Sequence, residues 1–443
     1  MKLRQFALAA TVAAAGLSSA LVTTAATAAE QFFPVLSYRT GAYGPAGAPF
    51  ANGYIDYLRL TNVNGGINGV KVSYEECDHA YDTARAIECY ERLKDKNGGA
   101  TVFQPLSTGA TIAITEKTFT DKIPVIAGGY GPSEAADGSV FKYNFPMMAT
   151  YVMGADALVQ HFANLSGGLK NLKGKKIAYI YHDSGFGKEP LPYLQQRAAE
   201  LGFELTLLPV TPPGLEQKST WLKVRQLRPD YAIMWSWGVQ TPTALKEALA
   251  TGFPLNKLYG VWWSGSEVDT KDLGDRAKGY QALTLMASSG YDSKVVAEVK
   301  QKLYAKGQGM SPAEEVGSVL YMRGLTAAML AVEAVRGAQE KYGKGKHVTG
   351  DQVRWALENF NLTEARIKQL GMEGVMKPIS TTCKDHNGGA YARLQTWDGK
   401  IWAPTSDWIV PDMQVITPYI RAAAGKYAES KGMKRRPASD CSS

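Results

Sequence analysis

Short apolar runs alternate with stretches of helical periodicity along nearly the whole chain, and that alternation limits the possible folds more than any other feature. Residues 32–37, 70–75, 101–104 and 123–127 read as strands. Between them, residues 49–62, 82–94 and 109–119 carry apolar side chains at helical spacing, with Asp82 where an N-cap belongs. Strands joined through helices pair in parallel, because a tight hairpin cannot make that connection. Parallel sheets are covered by helices on both faces. A second series starts near Thr150, where Tyr151, Ala155, Leu158, Phe162 and Leu165 form one helical face. Strands at 176–181, 203–208, 231–237, 258–263 and 281–286 follow, with helices at 191–201, 221–227 and 244–250. Two series of similar length predict an α/β protein of two similar lobes, without a clear sequence repeat. Helices dominate 293–360, 322–339 being the longest. Residues 375–382 and 390–396, with turns at Gly388-Gly389 and Asp398-Gly399, read as extended.

With 443 residues the chain exceeds a single compact core. Its N-terminus has the three parts of a secretory leader: Lys2 and Arg4, an apolar stretch at 6–22, and small residues including Ala26 and Ala28. Residues 1–29 therefore read as a signal peptide cleaved near Ala28 or Ala29, and the mature chain as exported. Four cysteines in an oxidising compartment read as disulfides. Three pairings are possible. Local closure favours Cys77–Cys89, which leaves Cys383 for Cys441. No CxxC spacing suggests a metal. The net charge of +8 is spread out rather than gathered into a nucleic-acid-binding face, and the stretch 431–436 reads as a basic, solvated tail.

The sequence contains no GxSxG, HExxH, GxxxxGK[ST] or GxGxxG. No cofactor is expected, and no enzyme. His182-Asp183-Ser184 brings triad residue types together, yet neighbours on a strand point in opposite directions. The informative loops lie at strand C-terminal ends, where open α/β sheets bind ligands. Ser107 and Thr108 lead into a helix whose free N–H groups suit a carboxylate, although simple capping explains them equally well. Gly128, Gly129, Tyr130 and Gly131 follow the next strand, where a plain turn is the rival reading. In the second series Phe186, Trp235, Trp237, Trp262 and Trp263 recur at strand ends, as an apolar pocket would require. If 258–263 is a strand, Trp262 and Trp263 point oppositely and at most one of them faces that pocket.

Several motifs, in order, resemble those of type I periplasmic solute-binding proteins, closest to the leucine/isoleucine/valine branch serving ABC transporters. Thr40-Gly41-Ala42-Tyr43 with Gly47 and Gly53 is similar to the first-strand loop. Asn64-Gly65-Gly66-Ile67-Asn68-Gly69, with Val72, Tyr74, Glu75 and Asp78, is similar to the family's NxxGGIxG turn. Tyr181 to Gly187 resembles the YxDxxYG loop, and Gly274-Asp275 with Gly279 a later GDxxxG turn. The likeness spans about residues 31–415.

The resemblance implies two lobes joined by three crossings, near Phe145, Met286 and Leu370. Lobe 1 would comprise 30–146 plus 287–369, lobe 2 would comprise 147–286 plus 370–415, and 416–443 would form a tail. It implies ligand capture by closure, a membrane permease and an ATPase as partners, and a monomer. The family's carboxylate-binding serine falls on Ser107 beside Thr108, its backbone contacts on 128–131, and its second-lobe aromatic on Phe186. Its first-loop aromatic falls on Ala46, with Tyr43 nearby. Its ammonium-binding acid falls on Trp262, and the next acid is Glu267. A carboxylate lacking an α-amino group is therefore the expected ligand, set between Ser107, Thr108 and 128–131 on one side and Phe186, Trp237 and Trp262 or Trp263 on the other. A branched-chain amino acid, met by Glu267 or Asp269, is the rival. A sensor module and a secreted hydrolase using His182 or Ser184 stay open as other functions.

Overall fold

The computed structural model describes residues 30–441; the expected leader lies outside them. The chain opens with β1 (Gln31–Ser37), α1 (Gly44–Val63), β2 (Val72–Asp78), α2 (Thr83–Leu93), α3 (Thr108–Asp121), β3 (Val125–Ile126) and β4 (Asn144–Phe145). The second series follows: α4 (Tyr151–Ser166), β5 (Lys176–His182), α5 (Gly185–Lys188), α6 (Leu191–Leu201), β6 (Glu204–Val210), α7 (Lys218–Leu227), β7 (Tyr231–Trp235), α8 (Gln240–Ala250), β8 (Leu258–Gly260), α9 (Glu267–Thr270) and β9 (Gln281–Thr284). The remainder is α10 (Lys294–Lys302), α11 (Val319–Tyr342), α12 (Gly350–Glu358), β10 (Asn361–Leu362), α13 (Glu364–Gln369), β11 (Ile379–Ser380), β12 (Arg393–Trp397), β13 (Trp402–Pro404) and α14 (Met413–Ser430).

Two parallel-rich sheets result. The second runs β13-β12-β9-β8-β7-β5-β6, with antiparallel pairing only among β9, β12 and β13. In the first lobe β1 pairs with β2 and β3 with β4, both in parallel. The expected strand 101–104 is a correction: Thr101 N donates to Phe32 O (3.0 Å) and Phe103 N to Pro124 O (2.9 Å), so the segment fills the gap between β1 and β3. Its bonds are too few in succession to make a strand, because Pro105 removes the next donor. Beyond β11, past Leu370, the chain enters the second sheet at β12.

Local signals set the helix starts. The side chains of Asp82, Ser107 and Thr150 accept from the backbone N–H groups of Arg85, Ala110 and Met153. The start of α1 lies at Gly44, not at 49, with a proline already in its first turn. Burial of α1 against α11 ties the first-lobe core together, and glycine makes it possible. A Cβ on Gly324 would overlap the carbonyl oxygen of Phe50, and one on Gly53 that of Tyr321, so the two backbones touch.

The tail is also a correction. α14 leaves the second lobe, where Tyr419 meets Tyr193 edge to face at 5.2 Å, and ends on the first, where Tyr427 packs on Phe141 at 4.7 Å. Past it, Arg435 pairs with Asp137 at 2.6 Å and Arg436 with Glu358 at 2.5 Å, the Arg436 side chain being only 9% exposed. The basic run is docked because buried carboxylates wait for it. Disulfides join Cys77 to Cys89 and Cys383 to Cys441, the pairs that local closure favours.

Gly324→Ala is expected to destabilise the protein by roughly 1–3 kcal/mol through overpacking at the α1–α11 contact. Urea denaturation checks this; an unchanged midpoint would mean that the helices separate without cost.

Candidate functional site

Where the lobes face each other they leave a small, partly open void of about 20 Å³. Of the residues singled out from the sequence, Ser107, Thr108, Tyr130, Phe186, Trp237 and Trp263 line it. Ser107 spends its Oγ on the Ala110 N–H (3.3 Å), which leaves the first N–H groups of α3 facing the cleft end of the helix. Tyr130 is fixed from two sides: Leu106 N donates to its Oη (3.2 Å), and the hydroxyl donates to Ile126 O (3.1 Å). Leu106 and Tyr81, both on the wall, hold left-handed backbone at φ 54° and 63°. Non-glycine residues take that conformation at a cost, and such strain gathers at working loops.

Four other singled-out residues act beside this void. Gly129 offers its carbonyl to two indoles, Trp262 Nε1 at 2.6 Å and Trp263 Nε1 at 3.0 Å. The expectation that at most one of these tryptophans turns inward is therefore wrong. The strand stops at Gly260, and residues Trp262–Ser264 form a 3-10 turn, so the two-residue alternation no longer applies. Trp262 stacks on Tyr151 at 5.8 Å and, with Gly128, lines a second void of about 20 Å³. Trp263, Tyr130 and Phe50 belong to both voids. Tyr43 packs on Tyr81 at 4.5 Å and its hydroxyl bonds His182 Nε2 at 2.8 Å.

His182 Nδ1 meets Ser184 Oγ at 2.8 Å, so these two side chains do come together despite their positions. Asp183 turns instead to Lys188 at 2.6 Å. Burial lowers the imidazole to about 4, so the ring is neutral, one nitrogen donating and the other accepting between Tyr43 and Ser184.

The two acids expected to meet an ammonium, Glu267 and Asp269, are occupied. Glu267 accepts from Val319 N at 3.0 Å, at the start of α11, and from Ser289 Oγ. Asp269 accepts from the N–H and hydroxyl of Ser266 at 2.9 and 2.6 Å; burial raises its carboxyl to about 7, although the Ser266 bonds oppose the rise. Glu189 spans the lobes, taking Ser133 N at 2.9 Å on Oε1 while Oε2 has no partner. Burial first, and the carboxylate of Glu134 second, push it up to about 8.

Sequence reasoning missed Tyr38, Phe50, Tyr81, Leu106 and Tyr151 on the first wall. Tyr38 follows β1 directly and Tyr81 follows β2, so the strand-end rule applied to every strand would have found both. Among the described residues, no group of three His, Cys, Asp or Glu could hold a metal ion, and no helix is long and apolar enough to cross a membrane.

Residues 30–400 match the family model for periplasmic binding proteins. The chain belongs to that family. This periplasmic binding protein is 42% identical to a Pseudomonas fluorescens group protein described as an ABC transporter permease; the match covers 92% of this chain and 99% of that one, with a TM-score of 0.85. A Thermus thermophilus branched-chain amino acid ABC transporter protein with bound valine is 24% identical over 88% of this chain and 99% of its own, TM-score 0.73. A Rhodopseudomonas palustris solute-binding protein in complex with benzoate is 16% identical over 86% and 97%, TM-score 0.66. The last two are likenesses of fold. No curated protein matches the chain. The periplasmic binding protein is a solute-binding component of an ABC transporter, and its family binds solutes rather than transforming them.

Glu189 yields a pH test. Its carboxyl is raised from 4.5 to about 8 in the folded protein, so its contribution is fully present below 4.5 and is lost as pH rises through about 8. Glu189→Gln should leave the melting temperature nearly unchanged at the acid end of this window and raise it progressively towards its alkaline end. A difference independent of pH, read by thermal melts across that range, would show that Glu189 is ionised when folded.

Proposed function

We propose that this periplasmic binding protein captures a small organic acid without an α-amino group, aromatic acids foremost, and presents it to a membrane permease driven by an ATPase. One observation carries the reading: no acidic residue lines either void between the lobes, while the buried Trp237 Nε1 on the first wall has no acceptor. An ammonium in such a place would be stranded, whereas an acid supplies what the indole and the start of α3 lack. Glu267 and Asp269 are spent on Val319 and Ser266, which weakens the branched-chain amino acid reading. The benzoate-bound neighbour shows that this fold accommodates such a ligand.

The carboxylate would lie against Ser107 and Thr108 at the start of α3, near the loop 128–131, with Phe186, Trp237 and Trp263 as the opposing wall. Because the two lobes supply opposite sides of the site, ligand contact is complete only when they meet, and binding shifts the population towards the closed form. No bond in the ligand is broken. His182 and Ser184 lack the aligned carboxylate that a hydrolytic triad needs, since Asp183 is held by Lys188. The mature protein would act in the periplasm as a monomer, cleaved near Ala28 or Ala29.

Titration calorimetry with benzoate, leucine and valine tests this. Benzoate or a related acid should bind, and Ser107→Ala should weaken it roughly tenfold. Binding of leucine or valine with none of the acids would overturn the proposal.

A further inference from the structure

The second void is lined by a buried cation whose two terminal nitrogens have no hydrogen-bond partner among the described residues. Arg323 lies on α11, four residues past the helix start, and is 5% exposed. Its Nη1 and Nη2 have no hydrogen-bond partner among the described residues. The guanidinium lies over the ring of Trp263, 5.1 Å from its centroid, and lines the second void together with Gln104, Gly128 and Met148. Gln104 Oε1 is likewise unpartnered.

The neighbouring acids do not compensate it. Glu267 caps α11 through Val319 N and holds Ser289, and Asp269 is bonded to Ser266. Both act on Arg323 from a distance, yet burial prevails and lowers its guanidinium from 12.5 to about 10. A buried cation without hydrogen bonds is costly and is ordinarily matched by a partner. Arginine is suited to that role because its planar fork meets a carboxylate through two parallel N–H groups.

Position makes the ligand class specific. Trp263 has Arg323 and the second void on one side, while its ring also forms part of the wall around Ser107 and Thr108. An acid group on Arg323 therefore lies across one indole from the acid group assigned to the start of α3. We propose that Arg323 is a second anion anchor and that the ligand is a dicarboxylic acid, its two ends held on either side of Trp263. This rests on the reading of the cleft as an acid-binding site and narrows it.

Calorimetry on the full mature protein with matched pairs, benzoate against isophthalate and hexanoate against adipate, tests the proposal. In the unsubstituted protein at least one diacid should bind roughly tenfold or more tightly than its monoacid. Arg323→Met, similar in reach but uncharged, should abolish that preference by weakening the diacid far more than the monoacid. Arg323→Lys, which keeps charge but loses the fork, should retain part of it; should the Met variant fail to fold by circular dichroism, the Lys variant decides. Equal affinity for both members of each pair, or equal losses for mono- and diacid on substitution, overturns the inference and leaves the acid-binding function standing. Binding of no acid at all overturns both.

Discussion

The carbonyl of Gly129 is the point on which the lobes are set. Two indole N–H groups from the second lobe converge on that oxygen from the first, and any opening of the cleft must break both bonds. The glycine is required: its φ is 76°, and a Cβ there would approach Leu285 Cδ1 to 2.9 Å. With the carbonyl in place the aromatic order follows. Trp262 lies flat against Tyr151, and Trp263 meets Trp237 edge to face at 5.4 Å. One main-chain acceptor thereby fixes both the lobe register and the partition between the voids.

Two further polar links across the cleft use groups that are neutral when buried. His182 bonds Tyr43 as an uncharged imidazole, and Glu189 meets Ser133 with its carboxyl raised to about 8. Neutral contacts exchange water for protein at small net cost, so the lobes can part and rejoin without solvating and desolvating a full charge each time. Arg323 keeps its charge, and it belongs to a first-lobe helix that is packed on α1.

The alternation of strands and helices was legible because the chain obeys local rules nearly throughout. Asp82, Ser107 and Thr150 cap the helices that their side chains suggest, and the strand ends carry the loops around the first void. Legibility failed where a period changed without a residue to announce it. Trp262 and Trp263 continue the apolar run of β8, and nothing in their chemistry reveals that the extended backbone has stopped two residues earlier. Arg323 was hidden for a different reason. It stands beside Met322, Gly324 and Leu325 in an apolar helix, where a single cation reads as one solvated turn unless the opposite helix face is known to be buried too. The docked tail needed tertiary knowledge as well, since Asp137 and Glu358 lie far from it in sequence.

The bond between Cys383 and Cys441 has a statistical consequence for that tail. An arginine on a free chain end samples a large volume, and a part-exposed ion pair seldom holds it. Closing the loop confines the last residues to the neighbourhood of Cys383, so Arg435 and Arg436 meet their carboxylates at a high effective concentration and lose little further freedom on pairing. The final helix is thereby tethered where it lies across both lobes. Once oxidised, the protein holds its own basic run, Arg435 and Arg436, as an intramolecular ligand.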